Sequence, residues 1–344
     1  MSGTSCDGLD VAYVRFYGTP EKPEYELLHA ECFSYGDEWR KKLRDAYFLT
    51  AEEIIALDAD YGRYLGYTVK NFAQSHSISS KVDFVASHGH TVFHRPDAGY
   101  SLQIGNGAWL HAVSGFKVIC DFRALDVAFG GQGAPLVPIG DKLLFGQYGY
   151  CINIGGFANI SFDNDSGLRI AYDICPANYC INRLMSALGQ EYDRDGLVAR
   201  SGKVNAALFD AMNARDYYRL PAPKSLSQEW VDAEMTPLLN NCNDTVENKI
   251  ATITEHAAFQ ISQPFKAGSK VLFTGGGVHN KFLIERIRAY KDFVCERQSS
   301  GIIDFKEAIV FAFLGLLRAE GLPNCLKSVT GATRDTSSGQ MYGF

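Results

Sequence analysis

The sequence lacks most of the short signatures that announce a reaction. Its 344 residues hold no GxGxxG dinucleotide loop, no Walker-type phosphate loop and no HExxH pair. "GNGAWL" misses the last glycine of the first, and "GDK" at 140–142 stands without the rest of the second. "GTSCD" is not a GxSxG nucleophile turn, because Asp7 occupies its last position. No apolar run approaches the roughly 18 residues that cross a bilayer, and no stretch reads as a secretory leader, so the expected location is cytoplasmic. Runs of Lys and Arg are missing too. With a net charge of −6 and a pI near 5.8, this argues against nucleic-acid or membrane partners. There is no CxxC pair among the nine scattered cysteines, which points to reduced thiols without a disulfide framework or zinc site. "DNDSG" places its glycine one position early for an EF-hand loop and reads as a hairpin turn.

What is present is a chain of ordinary globular composition, 46% hydrophobic and 21% charged, long enough for two compact domains. "DVAYVRFYG" and "EYELLHAECFSY" read as strands joined by "TPEKP", and helical periodicity covers 37–48 and 51–75. "VDFVASHGHTVF" reads as an apolar strand ending in a polar loop, "GAWLHAVSG" as a short helix and "KVICDF" as a strand. The Gly/Pro-rich "AFGGQGAPLVPIG" marks a crossover, dividing 1–130 from 131–344. Three short strands follow in "YGYCINIGGFANISFDNDSGLRIAYDICP", then helices over 177–188, 205–213 and 246–267. The strand "KVLFTGG" precedes a helix beginning near Asn280, and a last helix covers 305–319.

The two halves share a plan: a hairpin with a Gly-rich or hydroxyl-rich turn, a third strand, then helices alternating with strands. Two such mixed α/β units, turns facing inward across a cleft, suit a bound nucleotide. If "SGTSCDG" corresponds to "NIGGFANIS", a strand equivalent to "YGYCINI" should precede the first turn. The expectation is therefore that residues precede Met1 in the native chain.

Within this plan several stretches can carry chemistry. "MSGTSCDG" offers small residues for close backbone approach, hydroxyls from Ser2, Thr4 and Ser5, and Asp7 to organise a metal or water. Taken alone, an ordinary Ser/Gly turn is an equal reading. "FTGGGVHNKFL" sets three glycines between an apolar strand and a helix N-terminus, where a nucleotide can lie on bare backbone; a tight connection is again an equal reading. His88, His90 and His94 have no carboxylate or cysteine at ligand spacing and read as hydrogen-bonding residues. Arg123 can grip a carboxylate with two prongs, although spacing alone favours an internal pair with Asp126. Asp173 ends a strand just before a helix, which suits a general base or a capping residue. Glu307 lies on a largely apolar helix, facing either solvent or a cleft.

Taken together the chain resembles the anhydro-N-acetylmuramic acid kinases of the actin/hexokinase/Hsp70-like ATPase superfamily. The resemblance rests on "MSGTSCDGLD", "HGHTVFHRP", "LQIGNGAWL", "DFRALDVAFGGQGAPLVP", "NIGGFANIS", "YDRDGLVARSGKV", "FTGGGVHNKFL", "KEAIVFAFLG" and "VTGATRDTSSG", in the family's order from end to end. It implies an α/β fold of two duplicated actin-like (ribonuclease H-like) domains with a nucleotide cleft. It also implies ATP and Mg²⁺ as cofactors, and a homodimer. The implied reaction adds water to a 1,6-anhydro sugar and phosphorylates the freed O6, giving N-acetylmuramate 6-phosphate in cell-wall recycling. Gly3, Thr4, Ser5, Cys6, Asp7, Gly8, Leu9 and Asp10 match the first phosphate loop, with Asp7 as the metal candidate. Gly155, Gly156, Gly275, Gly276, Gly277 and Asn280 match the remaining nucleotide contacts. Asp173 matches the catalytic base, with Arg123, Asn178 and Glu307 assigned to the sugar.

Two features depart from the pattern. "DICPAN" replaces Asp-Thr-Gly-Pro-Gly-Asn, bringing in Ile174, Cys175 and Ala177, and Asn182 stands where aspartate is common. The first strand of the fold is the other. Two further readings stay open on these grounds: a kinase of another amino sugar, and a catalytically weak ATP- or sugar-binding regulator.

Overall fold

The computed structural model describes residues 1–3, 6, 8–20, 22–296 and 299–344, with the side chain of Ser300 also outside the description. The chain opens with β1 (Gly8–Thr19), β2 (Lys22–Ser34), α1 (Asp37–Asp45) and α2 (Ala51–Ser75). It continues through β3 (Val85–Ser87), β4 (His90–Arg95), β5 (Tyr100–Ile104), α3 (Gly107–Ser114), β6 (Val118–Cys120), α4 (Ala124–Ala128) and α5 (Pro138–Leu143). Then come β7 (Tyr150–Ile154), β8 (Phe157–Asp163), β9 (Arg169–Pro176), α6 (Asn178–Ser186), α7 (Leu197–Ser201) and α8 (Ala206–Asn213). These are followed by α9 (Gln228–Glu234), α10 (Thr236–Asn241), α11 (Val246–Ser262), β10 (Ser269–Thr274), α12 (Lys281–Tyr290) and β11 (Phe293–Val294). The last elements are α13 (Ser300–Ala319), α14 (Lys327–Thr330) and β12 (Gln340–Tyr342). Among the described residues no helix is long and apolar enough to cross a membrane.

The chain forms two compact units, Met1–Leu144 with Phe305–Phe344, and Phe145–Asp304. This corrects the division at 130/131. Packing explains the difference. Lys306 and Asp141 form a buried ion pair at 2.6 Å, and a Cβ on Gly140 would come within 2.6 Å of Val310 Cγ2. Residues 131–144 are thereby locked to α13 inside the first unit.

The second unit is built on a five-stranded sheet of order β11-β10-β7-β8-β9. The central strand β7 runs parallel to β10 and antiparallel to β8. Its sequence, YCINI, is apolar except for Asn153 because both faces are covered: Cys151, Ile152 and Ile154 are buried. Below it lies α11, which Thr245 starts by accepting the Asn248 N–H, and which buries Ala257, Ala258 and Ile261. The "DNDSG" turn is a hairpin, as expected; Asn164 Oδ1 accepts the Ser166 and Leu168 amides at 3.0 Å each.

In the first unit β1 pairs with β2, β3 pairs in parallel with β6, β12 joins β6 antiparallel, and β4 pairs with β5. The core gathers Leu9, Tyr35, Leu43, Tyr61, Leu65, Ile104 and Val118. Helix α2 follows the periodicity over 51–75, fixed at its start by a Thr50–Glu53 capping box. The β4–β5 hairpin, by contrast, was expected only as a polar loop. Helix α13 begins at Ser300, ahead of the expected 305.

Candidate active site

Each unit carries one polar constellation, and each is described by itself. In the second unit Asp173 projects from β9, three residues before Pro176 ends the strand. The Leu226 N–H donates to its Oδ2 at 2.9 Å, and its own N–H donates to Lys224 O at 3.1 Å. The Tyr217 hydroxyl donates to its carbonyl. Among the described residues no protein donor meets Oδ1. Removal from bulk water raises the carboxyl pKa, and the single amide bond from Leu226 only partly opposes that shift. A half-buried carboxylate with a raised pKa and one open oxygen is equipped to take a proton. Lys224 frames this site, donating from Nζ to Tyr217 O at 3.0 Å with its ammonium 4.6 Å from the Tyr217 ring centroid.

The glycines of this unit divide into two kinds. Gly275 has φ 84°, and a Cβ there would lie 2.6 Å from Asn153 Oδ1; at Gly277 it would lie 2.3 Å from Ile154 Cγ2. Both are required by their approach to β7. Gly276 has open space instead, which leaves bare backbone facing outward. Asn280 caps α12 by accepting the Leu283 N–H at 3.0 Å, so its side-chain oxygen has a structural task. The Gly155 carbonyl accepts from Asn178, and the Gly156 carbonyl accepts from Ala177 and Tyr179. The start of α6 is thus braced on the β7–β8 turn, which holds the altered "DICPAN" segment in place.

In the first unit Arg123 precedes α4. Its NH1 donates to Gly133 O at 2.7 Å, while Nε and NH2 approach His88 Nε2 at 3.2 and 2.8 Å. His88 Nε2 therefore accepts and Nδ1–H donates to Gly89 O at 3.0 Å, which fixes the neutral tautomer. Burial, then the Arg123 charge, hold the His88 pKa well below its ordinary value. The Arg123 guanidinium is itself lowered to about 10 by burial, with the charge of Glu307 opposing. The expected Arg123–Asp126 pair does not form. Asp126 is fully buried and accepts instead from Gly133 N–H and the Thr330 hydroxyl, each at 2.8 Å. It shapes the "GGQG" loop and leaves Arg123 aimed elsewhere.

Glu307 follows the Lys306–Asp141 pair on α13 and stays reachable by solvent. Loss of bulk water raises its pKa, opposed by Lys306 and Arg123. Of the first loop, Gly3, Cys6, Gly8, Leu9 and Asp10 are described, whereas Thr4, Ser5 and Asp7 lie outside the described residues. Ser2 Oγ accepts from Tyr35 OH at 2.8 Å and meets His90 Nδ1 at 3.1 Å, and Tyr35 meets Tyr61 at 2.6 Å. Sequence reasoning found neither this chain of hydroxyls nor Tyr217, Lys224 and Leu226 around Asp173. Both join residues tens of positions apart, and no local spacing signals them. Among the described residues no group of His, Cys, Asp or Glu side chains is arranged to hold a metal ion.

The sequence pattern of the family described as anhydro-N-acetylmuramic acid kinase matches residues 1–343. The chain belongs to that family. The kinase relative from Saccharophagus degradans is 35% identical over 99% of this chain and 97% of its own length. Another from Vibrio cholerae serotype O1 is 33% identical over 99% and 96%. Among solved structures, the activator of the 2-hydroxyisocaproyl-CoA dehydratase from Clostridium difficile with bound ADPNP covers 64% of this chain and 88% of its own. Its TM-score is 0.35 and its identity 13%, too distant to bear on the site.

Proposed function

We propose that the chain is an ATP-dependent kinase that opens 1,6-anhydro-N-acetylmuramic acid and phosphorylates its O6, as an enzyme of cell-wall recycling. The observation that carries this reading is Asp173: within a full-length family match, the residue at the base position is a strand-held carboxylate with a raised pKa and one open oxygen. O6 is locked in the anhydro bridge and cannot attack phosphorus until the C1–O6 bond breaks. Asp173 takes a proton from water, whose oxygen bonds to C1. The electron pair of the broken bond moves to O6, which takes the γ-phosphoryl group as ADP departs. The sugar side resembles an inverting glycosidase in which the phosphoryl group receives the leaving oxygen in place of a general acid.

In the second unit the backbone at Gly275–Gly277 is the nucleotide-side contact, with Gly155 and Gly156 on the adjoining turn. In the first unit Arg123 is the partner for the lactyl carboxylate, since its guanidinium is already oriented by His88 and the Gly133 carbonyl. Glu307 accepts from sugar hydroxyls, and Asn178 is assigned to the sugar by family likeness. Mg²⁺ would supply charge neutralisation at the phosphates, with Asp7 the residue assigned to hold it and the first-loop hydroxyls donating to the phosphate oxygens. The same reading carries a cytoplasmic homodimer with no nucleic-acid partner. Mass spectrometry of the product made from the anhydro sugar and Mg-ATP in ¹⁸O-water tests it: a 6-phosphate labelled at C1 is expected. Sugar binding without ATP consumption would favour a regulator, and turnover of another amino sugar alone would move the substrate assignment.

A further inference from the structure

Three hydrogen bonds from one loop of the second unit converge on Asp173, and the loop is itself pinned from beneath. The Tyr217 hydroxyl donates to the Asp173 carbonyl, the Asp173 N–H donates to Lys224 O at 3.1 Å, and the Leu226 N–H donates to Oδ2 at 2.9 Å. Between these contacts Arg219–Pro223 are all exposed, so the grip of the loop rests on its two ends. Lys224 Nζ ties the ends together by donating to Tyr217 O at 3.0 Å. At the far end Ser227 caps α9 by accepting the Trp230 N–H, and the Trp230 ring lies 5.3 Å from that of Tyr217. At the near end the Tyr218 hydroxyl meets Nε2 of His256 on α11 at 2.8 Å.

His256 is fully buried, and its neighbours fix its tautomer. Asn213 Nδ2 donates to Phe209 O at 2.8 Å, so Asn213 Oδ1 is the acceptor for Gln260 Nε2 at 2.7 Å and for His256 Nδ1–H at 2.8 Å. Nε2 is left to accept from Tyr218. Burial lowers the pKa of the ring to about 3, so the imidazole is neutral and the bond keeps this sense at neutral pH.

We propose that Tyr217 and Tyr218, anchored by His256, are positioning residues for the reaction: they hold the loop against β9 so that the Leu226 amide fixes one Asp173 oxygen and the other is presented to the attacking water. The proposal rests on the role of base given to Asp173 above. A base works within hydrogen-bond reach of the proton it takes, and a shift of about 1 Å can cost a hundredfold in rate. Freeing the loop would remove both the cover that raises the Asp173 pKa and the amide that lowers it. The cover is the larger influence, so the carboxyl should then titrate lower, nearer the ordinary value of about 3.9.

Tyr217→Phe and Tyr218→Phe are compared with Tyr290→Phe, which loses a hydroxyl bond of the same kind, to Glu255, elsewhere in the unit. Carbon-13 NMR of the Asp173 carboxyl, assigned by its absence in Asp173→Asn, reads its titration without any turnover. Steady-state kinetics with the anhydro sugar and Mg-ATP read kcat and KM. Both loop variants should lower kcat by about tenfold, leave the KM for ATP unchanged and titrate Asp173 at lower pH. Tyr290→Phe should change none of these, even where its melting temperature falls as far. Loop variants that melt lower but keep the parent kcat and Asp173 titration would overturn the proposal, as would an equal loss of activity in Tyr290→Phe. A parent chain that does not turn over the anhydro sugar would overturn the reaction on which the positioning role rests, while the titration still reads whether the loop holds Asp173.

Discussion

Two aspartates, the buried Asp126 of the first unit and the half-buried Asp173 of the second, show how differently the same side chain is used. Asp126 has both carboxylate oxygens engaged, one by the Gly133 amide and one by the Thr330 hydroxyl, and it holds a loop in shape. Asp173 has one oxygen engaged, by the Leu226 amide, and its pKa is raised. Complete satisfaction marks a group whose task is structural. An open oxygen in a desolvated setting marks a group kept available for a proton, at some cost in stability.

The sharpest way to break the comparison is Asp173→Asn, which should lower sugar-dependent kcat by about 10³-fold, within the usual range for loss of a general base. ATP binding, measured by calorimetry, should hardly change. The same substitution should raise the melting temperature at pH 7. A carboxyl whose pKa is raised by folding favours the folded state when protonated, and that contribution is lost as pH rises through the folded-state value. Activity runs the other way: kcat/KM should fall as pH drops through that raised value, placing the acid limb above the ordinary aspartate pKa of about 3.9. A limb at or below that value would remove Asp173 from the role.

Next in size, Arg123→Met should lower kcat/KM for the anhydro sugar by about 10²-fold while leaving ATP affinity intact, the loss expected for a charge-assisted two-pronged contact. Asp126→Ala should do the reverse in kind, costing about 1–3 kcal/mol in urea unfolding because it strands the Gly133 amide and the Thr330 hydroxyl. Gly277→Ala should cost about 1–3 kcal/mol through its clash with Ile154, whereas Gly276→Ala, with open space around it, should leave stability unchanged and weaken only nucleotide binding. Equal effects at the two glycines would dissolve the distinction between packing and ligand-facing backbone.

Much of this arrangement was legible in the residues. The second unit's strands, the long α2 and the glycine-bearing end of β10 follow from apolar period and punctuation, and the internal likeness of "SGTSCDG" and "NIGGFANIS" pointed to two related units. The unit boundary was not, because the Gly/Pro-rich run looks like a linker, and only the Lys306–Asp141 pair shows that 131–144 belong with the first unit. The Arg123–Asp126 pair that spacing favoured was the other miss. Spacing in "FRALD" favours a local pair with Asp126, but buried partners from distant residues, Thr330 and His88, satisfied each side chain separately. The donors around Asp173 lie 44 and 53 positions away, beyond any window in which period or motif carries information.

The division of the chain also sets an order of manufacture. The second unit is an uninterrupted stretch, Phe145–Asp304, whereas the first is split around it and depends on Phe305–Phe344. On a ribosome the inner unit emerges whole while the outer one still lacks α13, with Lys306 and Val310 unavailable to Asp141 and Gly140. Nascent-chain arrest at the point where residue 304 has just cleared the exit tunnel should therefore yield a protease-resistant inner unit beside an unfinished outer one. The outer unit, first to be started, is the last to close.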